Sequence, residues 1–315
     1  MARFLDKIAR KIPFAAELRF QLLKRKISNV RYVFVHSVTN NIGDLKSCPI
    51  EYFPLFSSVT SCRVGSRELV KAIEQFGETE VLELLKGKTV VFGGGGLIAL
   101  DRHSSHDRVM QFLSSFARCG GTVAVWGIGH NRMGGWRKWM AEKDGDFYPA
   151  WLADFALVGL RDFPNPYGWV PCVSCMHPAL DQRPDVKHEV VAFLHGQESE
   201  RFRHAFDGIP QLDNIQSGNK KRSEQRFRDV VGLIGSGHTV VTNSYHGLYW
   251  ATLLGKNVIA MPNSSKFAGF RYPYTVCEDL SHWKELVGRA NNHVDALAEC
   301  RAANQAFFER VRVLS

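Results

Sequence analysis

Short runs of β-branched and aromatic residues recur along the chain, and each ends in a glycine-rich or polar turn. Residues 30–36 (VRYVFVH), 89–92, 122–126 and 155–160 are predicted strands, and 190–194, 239–242 and 257–261 form a second set. Between them, apolar residues fall at helical spacing. Val109, Phe112, Leu113 and Phe116 predict one helix packed by a single face, and Phe227, Val230, Val231 and Ile234 predict another. Strands alternating with helices specify right-handed βαβ units, hence an α/β fold with parallel sheets. The polar stretch 181–189 (DQRPDVKHE) separates the two sets. The expected organisation is a helical segment over 1–30, one α/β domain over 31–182 and a second over 183–290. A terminal helix within 291–315 should cross back to the first domain.

Composition adds one asymmetry. The 315 residues carry 40 Lys and Arg against 31 Asp and Glu, a formal charge of +9. Residues 1–31 alone hold nine basic and two acidic residues, so the body is close to neutral and no nucleic-acid partner is expected. On a helical wheel Phe4, Leu5, Ile8, Ala9 and Ile12 share one arc, opposite Arg3, Asp6, Lys7, Arg10 and Lys11. Pro13 should break or kink this amphipathic helix. It either packs on the body or, with the rest of residues 1–27, lies on an anionic membrane surface. Hydrophobic residues at 45% and charged residues at 23% exclude a disordered or fibrous chain. The longest stretch without a charged residue, 230–255, is too polar to span a bilayer, and Glu17 and Arg19 interrupt any signal-peptide core. A cytoplasmic location is expected. Seven cysteines should be reduced thiols. Cys172 and Cys175, with only His177 beside them, fall short of a zinc ligand set and read as half-buried residues near a strand end.

Ligands in open parallel sheets bind beyond the carboxyl ends of the strands, which makes those ends the informative positions. Strand 89–92 runs into Gly93, Gly94, Gly95 and Gly96. Four glycines imply that a ligand or another backbone comes very close, and their N–H groups could form an anion nest. Residues 122–126 likewise run into Gly127-Ile128-Gly129-His130. Strand 155–160 ends at Arg161-Asp162, where an arginine suits bidentate recognition of carboxylate or phosphate unless it serves only a local pair. Residues 239–242 run into Asn243-Ser244-Tyr245-His246-Gly247 and then a helix, placing His246 at a helix N-terminus that favours anions. The following strand ends in Ser264-Ser265-Lys266-Phe267. Successive parallel strands present their ends on one side, so Lys266 should converge with His246.

These pieces, in this order, resemble the polysaccharide pyruvyl transferase family. The matching segments are NIGD (41–44), VVFGGGGL (90–97), WGIG (126–129), VGLRD (158–162), TNSYHGLYWATLLGKNVIAMP (242–262) and SSKF (264–267), within residues 31–275. The segment CVSC (172–175) departs from the family pattern. The resemblance implies two Rossmann-like domains facing across a cleft, as in GT-B glycosyltransferases. It implies phosphoenolpyruvate as donor and a sugar of a bacterial surface glycan, or its lipid-linked precursor, as acceptor, joined as a pyruvate ketal. No cofactor and no metal are implied. Carried onto this chain, His246 is the expected general acid, or the proton donor to the leaving phosphate, and Asp44 the base for a sugar hydroxyl. Arg161, Lys266, Ser244 and Ser265 are expected to hold phosphoenolpyruvate, and Gly94, Gly95, Gly96 and Asn41 the acceptor. A lipid-linked acceptor would place the enzyme at the inner face of the plasma membrane, and the loop 101–108 (DRHSSHDR) is expected to bear on acceptor choice. The competing functions are a GT-B glycosyltransferase using a nucleotide sugar and a non-catalytic glycan-binding relative.

Overall fold

Seven hydrophobic runs become parallel strands buried between helical layers, as their near-continuous apolar character requires. The computed structural model describes residues 13–37, 39–98, 105–132, 148–196, 199–215 and 220–314. The first sheet comprises β1 (Tyr32–His36), β2 (Ser61–Gly65), β3 (Thr89–Ile98), β4 (Thr122–His130) and β5 (Leu157–Leu160), in the order β2-β1-β3-β4-β5. The second comprises β6 (His188–Leu194), β7 (Gln211–Asp213), β8 (Gly237–Thr242), β9 (Asn257–Ala260) and β10 (Thr275–Val276), in the order β7-β6-β8-β9-β10. All pairings are parallel, and the two orders are the same. Each sheet therefore reverses direction once, between β1 and β3 and between β6 and β8. These reversals open the crevices in which doubly wound folds bind ligands.

The described helices are α1 (Pro13–Ser28), α2 (Ile42–Leu45), α3 (Ser66–Phe76), α4 (Glu78–Leu85), α5 (Ser105–Arg118), α6 (Ser199–Arg203), α7 (Lys220–Ser236), α8 (Tyr245–Leu253) and α9 (Ala296–Arg312). The amphipathic pattern over 4–12 lies outside the described residues. Within α1, Phe20, Leu23 and Ile27 are buried in the first core, while Leu18 and Leu22 are exposed. Among the described residues no helix is long and apolar enough to cross a membrane.

Helix α9 joins the two domains. Leu297 and Cys300 belong to the second core, whereas Phe307, Phe308 and Val311 pack with Tyr32, Phe34 and Trp126 of the first. Asn304, fully buried, accepts from Trp126 Nε1 at 2.8 Å and donates to Pro171 O at 3.2 Å, so its amide is satisfied where the cores meet. Phe307 is 2% exposed and sits edge-on to Trp126 at 5.0 Å. Phe307→Ala is expected to cost about 3–5 kcal/mol, read as a lowered urea midpoint.

Four features depart from the sequence reading. Gly93–Gly96 form part of β3, registered through Gly93↔Trp126 and Gly95↔Ile128 with an irregularity before Ile98. Segment 127–130 likewise continues β4. Strands β2, β7 and β10 flank the predicted ones, two of them only two or three residues long. Residues 105–108 of the segment expected as a loop open α5, and 101–104 lie outside the described residues.

Candidate active site

The residues following β1, β4 and β5 in the first domain meet those following β7, β8 and β9 in the second. The domains are tied at this seam by backbone bonds. Ile42 N–H donates to Asn214 O at 2.9 Å, and Ser265 N–H donates to Arg132 O at 2.8 Å. Arg132 N–H returns a bond to Ser265 Oγ at 2.9 Å. Deeper in the seam, buried Lys46 pairs with Glu224 of the second domain at 2.7 Å and with Glu51 at 3.6 Å. The lysine and His177 hold the Glu224 carboxyl down at about 2, against the opposing effect of burial.

His246 begins α8 as anticipated from its position after β8, and Ser244 is the N-cap residue. The ring is boxed in. Gly43 of α2 lies flat against it, so close that a Cβ there would fall inside van der Waals range of three ring atoms. Trp250 lies at 5.2 Å between ring centroids, and Cys172 Sγ is 3.8 Å from Nε2. Burial, the dominant cause, drives the imidazole pKa down to about 3. Arg161, Lys266 and His195 push it the same way, and Asp44 opposes them. His246 is therefore a neutral imidazole at physiological pH, and an arriving anion would work against the cations that now disfavour its protonation.

Arg161 is 2% exposed and spans the seam. Its guanidinium stacks 4.2 Å from the Tyr245 ring centroid of α8, and Nη2 donates to His130 O at 3.3 Å. Its neighbour Asp162 accepts from His130 N–H at 2.7 Å through Oδ2. The Asp162 Oδ1 lies 3.9 Å from Arg161 Nε, too far for a hydrogen bond. Burial raises the Asp162 carboxyl to about 6 despite Arg161 and that bond. Burial first, and then the same arginine, lower His130 to about 3. Arg161 Nε makes no hydrogen bond among the described residues, and the buried Asn131 Oδ1 beside Gly96 makes none either. These are donor and acceptor positions that a polar ligand could satisfy.

Lys266 completes the cationic set. Burial first and Arg161 second lower its pKa to about 8, with Asp44 pulling the other way. Lys266, Arg161, Asp44 and His246 thus form one electrostatic group drawn from both domains. Asp44 sits in α2, with Oδ2 receiving Thr39 Oγ1 at 3.0 Å. Its Oδ1 faces Gly95, where a Cβ would stand 3.5 Å away.

The remaining expected residues have plainer surroundings. Asn41 Oδ1 caps α2 through Gly43 N–H at 2.9 Å, and Ser265 Oγ is engaged by Arg132 N–H. Ser244 is 2% exposed, with its N–H donating to Thr242 Oγ1 at 3.0 Å. Gly94, at φ +84°, is pressed against Ser47 O, so a second backbone explains this glycine. Gly95, at φ +96°, faces the Asp44 carboxylate, and Gly96 accommodates Asn131 and Arg161 Nη2. Cys172 and Cys175 are fully buried rather than half-buried, and they face different partners, His246 and Asn304 respectively.

Sequence reasoning missed His36. It ends β1 fully buried, with Nδ1 2.7 Å from Gly93 O and Nε2 2.8 Å from Asp44 O. One ring thus ties the glycine strand to the Asp44 turn. Its place as the last residue of a strand at the sheet reversal was the available signal. His195, immediately after β6, was visible in the same way; its N–H donates to Asn243 Oδ1 at 2.7 Å.

No family model and no curated protein matches the chain. Solved structures align with it over most of its length. A UDP-GlcNAc 2-epimerase from Methanocaldococcus jannaschii, solved with UDP-GlcNAc and UDP, superposes with a TM-score of 0.50 at 9% identity, over 89% of this chain and 99% of that one. A functionally uncharacterised protein from Klebsiella pneumoniae aligns with a TM-score of 0.43 at 17% identity, over 80% of this chain and 91% of that one. The likeness to the epimerase is one of fold: two Rossmann-like domains facing across a cleft, in the GT-B manner.

Proposed function

We infer that the protein is a phosphoenolpyruvate-dependent pyruvyl transferase that forms a ketal on two hydroxyls of a sugar in a surface glycan or its precursor. The observation that carries this is the convergence of buried Arg161 and half-buried Lys266, two cations from opposite domains, at the N-terminus of α8. Each depends on an anion to offset its desolvation, and a small molecule with both a carboxylate and a phosphate supplies two. The motif resemblance supports the same substrate.

The reaction can be written from these groups. Protonation of the phosphoenolpyruvate methylene develops positive charge at C2, and a sugar hydroxyl adds there. Phosphate departs, and the second hydroxyl closes the ketal. Two hydroxyl protons are released; one balances the new methyl group and the other leaves with phosphate. Asp44 is suited to accept a hydroxyl proton, being a carboxylate beside Gly95 on the acceptor side. His246 starts neutral, held so chiefly by burial, so it acts as an acid only when the bound dianion itself favours the imidazolium. Lys266 and Arg161 hold the leaving phosphate and the carboxylate as charge moves onto phosphate.

The test is phosphate release from phosphoenolpyruvate, followed with and without a panel of glycan acceptors. Acceptor-dependent release is expected, with a mass gain of one pyruvate ketal on the product; release with none of the acceptors would sink the proposal. The likeness to an epimerase solved with UDP-GlcNAc and UDP favours a second reading, a nucleotide-sugar enzyme. Thermal shifts separate the two, because phosphoenolpyruvate should stabilise the protein and UDP-GlcNAc should not. A glycan-binding relative without activity would bind acceptor and ignore phosphoenolpyruvate.

A further inference from the structure

A second concavity lies apart from the cleft, between α1 and α3 at the carboxyl end of edge strand β2. Its volume is about 640 Å³. The floor is apolar: Phe20, Leu22, Leu23, Ala72 and Phe76, with Phe20 stacked on Phe76 at 4.1 Å and 9°. The walls are cationic. Arg19, Lys26, Arg63, Arg67 and Lys71 line it against the single carboxylate of Glu68. Glu68 engages Lys26 at 3.3 Å and Arg63 is matched by Glu51 at 2.6 Å, and five basic side chains against one carboxylate leave the lining formally positive. Leu22 is 52% exposed at its edge, with Leu18 also exposed on the same helix.

An apolar floor under a cationic wall selects an amphiphile of opposite charge. The chain's own first twelve residues are a poor match, because Arg3, Lys7, Arg10 and Lys11 against Asp6 repeat the sign of the wall. Nucleic acid would meet the charge but leave the floor uncovered. We propose that the groove between α1 and α3 binds an anionic phospholipid, with its phosphate on the Arg67 and Lys71 side and its chain along Phe20, Leu22 and Phe76. The groove opens beyond the carboxyl end of β2, whose last residue Gly65 is registered with His36 of β1. Lipid bound there would set the carboxyl ends of the first sheet, and so the cleft, toward a membrane surface. The assignment is independent of the reaction proposed above.

The full-length chain is titrated with dihexanoyl-phosphatidylglycerol below its micellar concentration, with dihexanoyl-phosphatidylcholine and glycerol phosphate as separate arms. Saturable binding of the anionic lipid is expected, at least tenfold tighter than either control. Arg67→Glu with Lys71→Glu should abolish it, and Leu22→Glu, at an exposed position, should weaken it at least fivefold. An unchanged circular dichroism melt would confirm that these variants fold. Equal binding of glycerol phosphate would show an anion site without a chain and overturn the proposal. Binding that survives both sets of substitutions would also overturn it, and would direct attention to the basic residues before Pro13.

Discussion

Gly43→Ala is expected to abolish acceptor-dependent turnover, with a loss of at least 100-fold, although it adds a single methyl group. The new Cβ would collide with the His246 ring, which cannot swing away because Trp250 and Cys172 close its other sides. Either the ring leaves its place at the start of α8 or α2 lifts off the second domain, breaking the Ile42–Asn214 bond. Overpacking of this kind costs about 1–3 kcal/mol. The double variant Gly43→Ala/His246→Ala makes the test sharp. Removing the ring should restore the thermal midpoint while activity stays lost, a coupling that distant sites do not show. Undiminished turnover in Gly43→Ala would mean that His246 need not remain where it sits.

The second large effect concerns Lys266. Its pKa is lowered to about 8, so the ammonium is present below that pH and is lost as pH rises through it. The profile of kcat/KM reports the free enzyme. An alkaline limb centred near pH 8 is expected for phosphoenolpyruvate, and it should fade in kcat because bound phosphate holds the proton on the lysine. Lys266→Met should lower kcat/KM by about 10²–10³-fold and erase that limb. His246, lowered to about 3, contributes no step between pH 5 and 7 in the free enzyme. Asp162, raised to about 6, is the group that would bend the acid side. A limb that persisted in Lys266→Met would assign it elsewhere.

Much of the scaffold could be read from the residues, because continuous apolar runs such as VVAFL and TVVT have only one way to bury both faces. The edges were harder. β2 offers Cys62 and Val64 as its only buried hydrophobics, and β7 is three half-buried residues, so neither stands out from its surroundings. The glycine run was legible as unusual but not as a strand, since glycine lowers strand preference and the support comes from pairing with β4. At the site, strand order brought His246 and Lys266 to one side and put Arg161 at a strand end, whereas Asp44 came only from the family resemblance. His36, the Lys46–Glu224 clamp and the Cys172 contact could not, because each depends on how two distant segments meet. Local pattern carries no record of such meetings.

The backbone bonds that join the domains at Ile42–Asn214 and Ser265–Arg132 have a further consequence for the proposed chemistry. A protonated enolpyruvyl centre is as attractive to water as to a sugar, and water is present at about 55 M. Here the proton donor belongs to one domain and the carboxylate base to the other, so the full set of reacting groups exists only while the halves are latched. Solvent and donor alone would meet an incomplete machine. Fidelity, the avoidance of squandered phosphoenolpyruvate, would then be written into the latch itself.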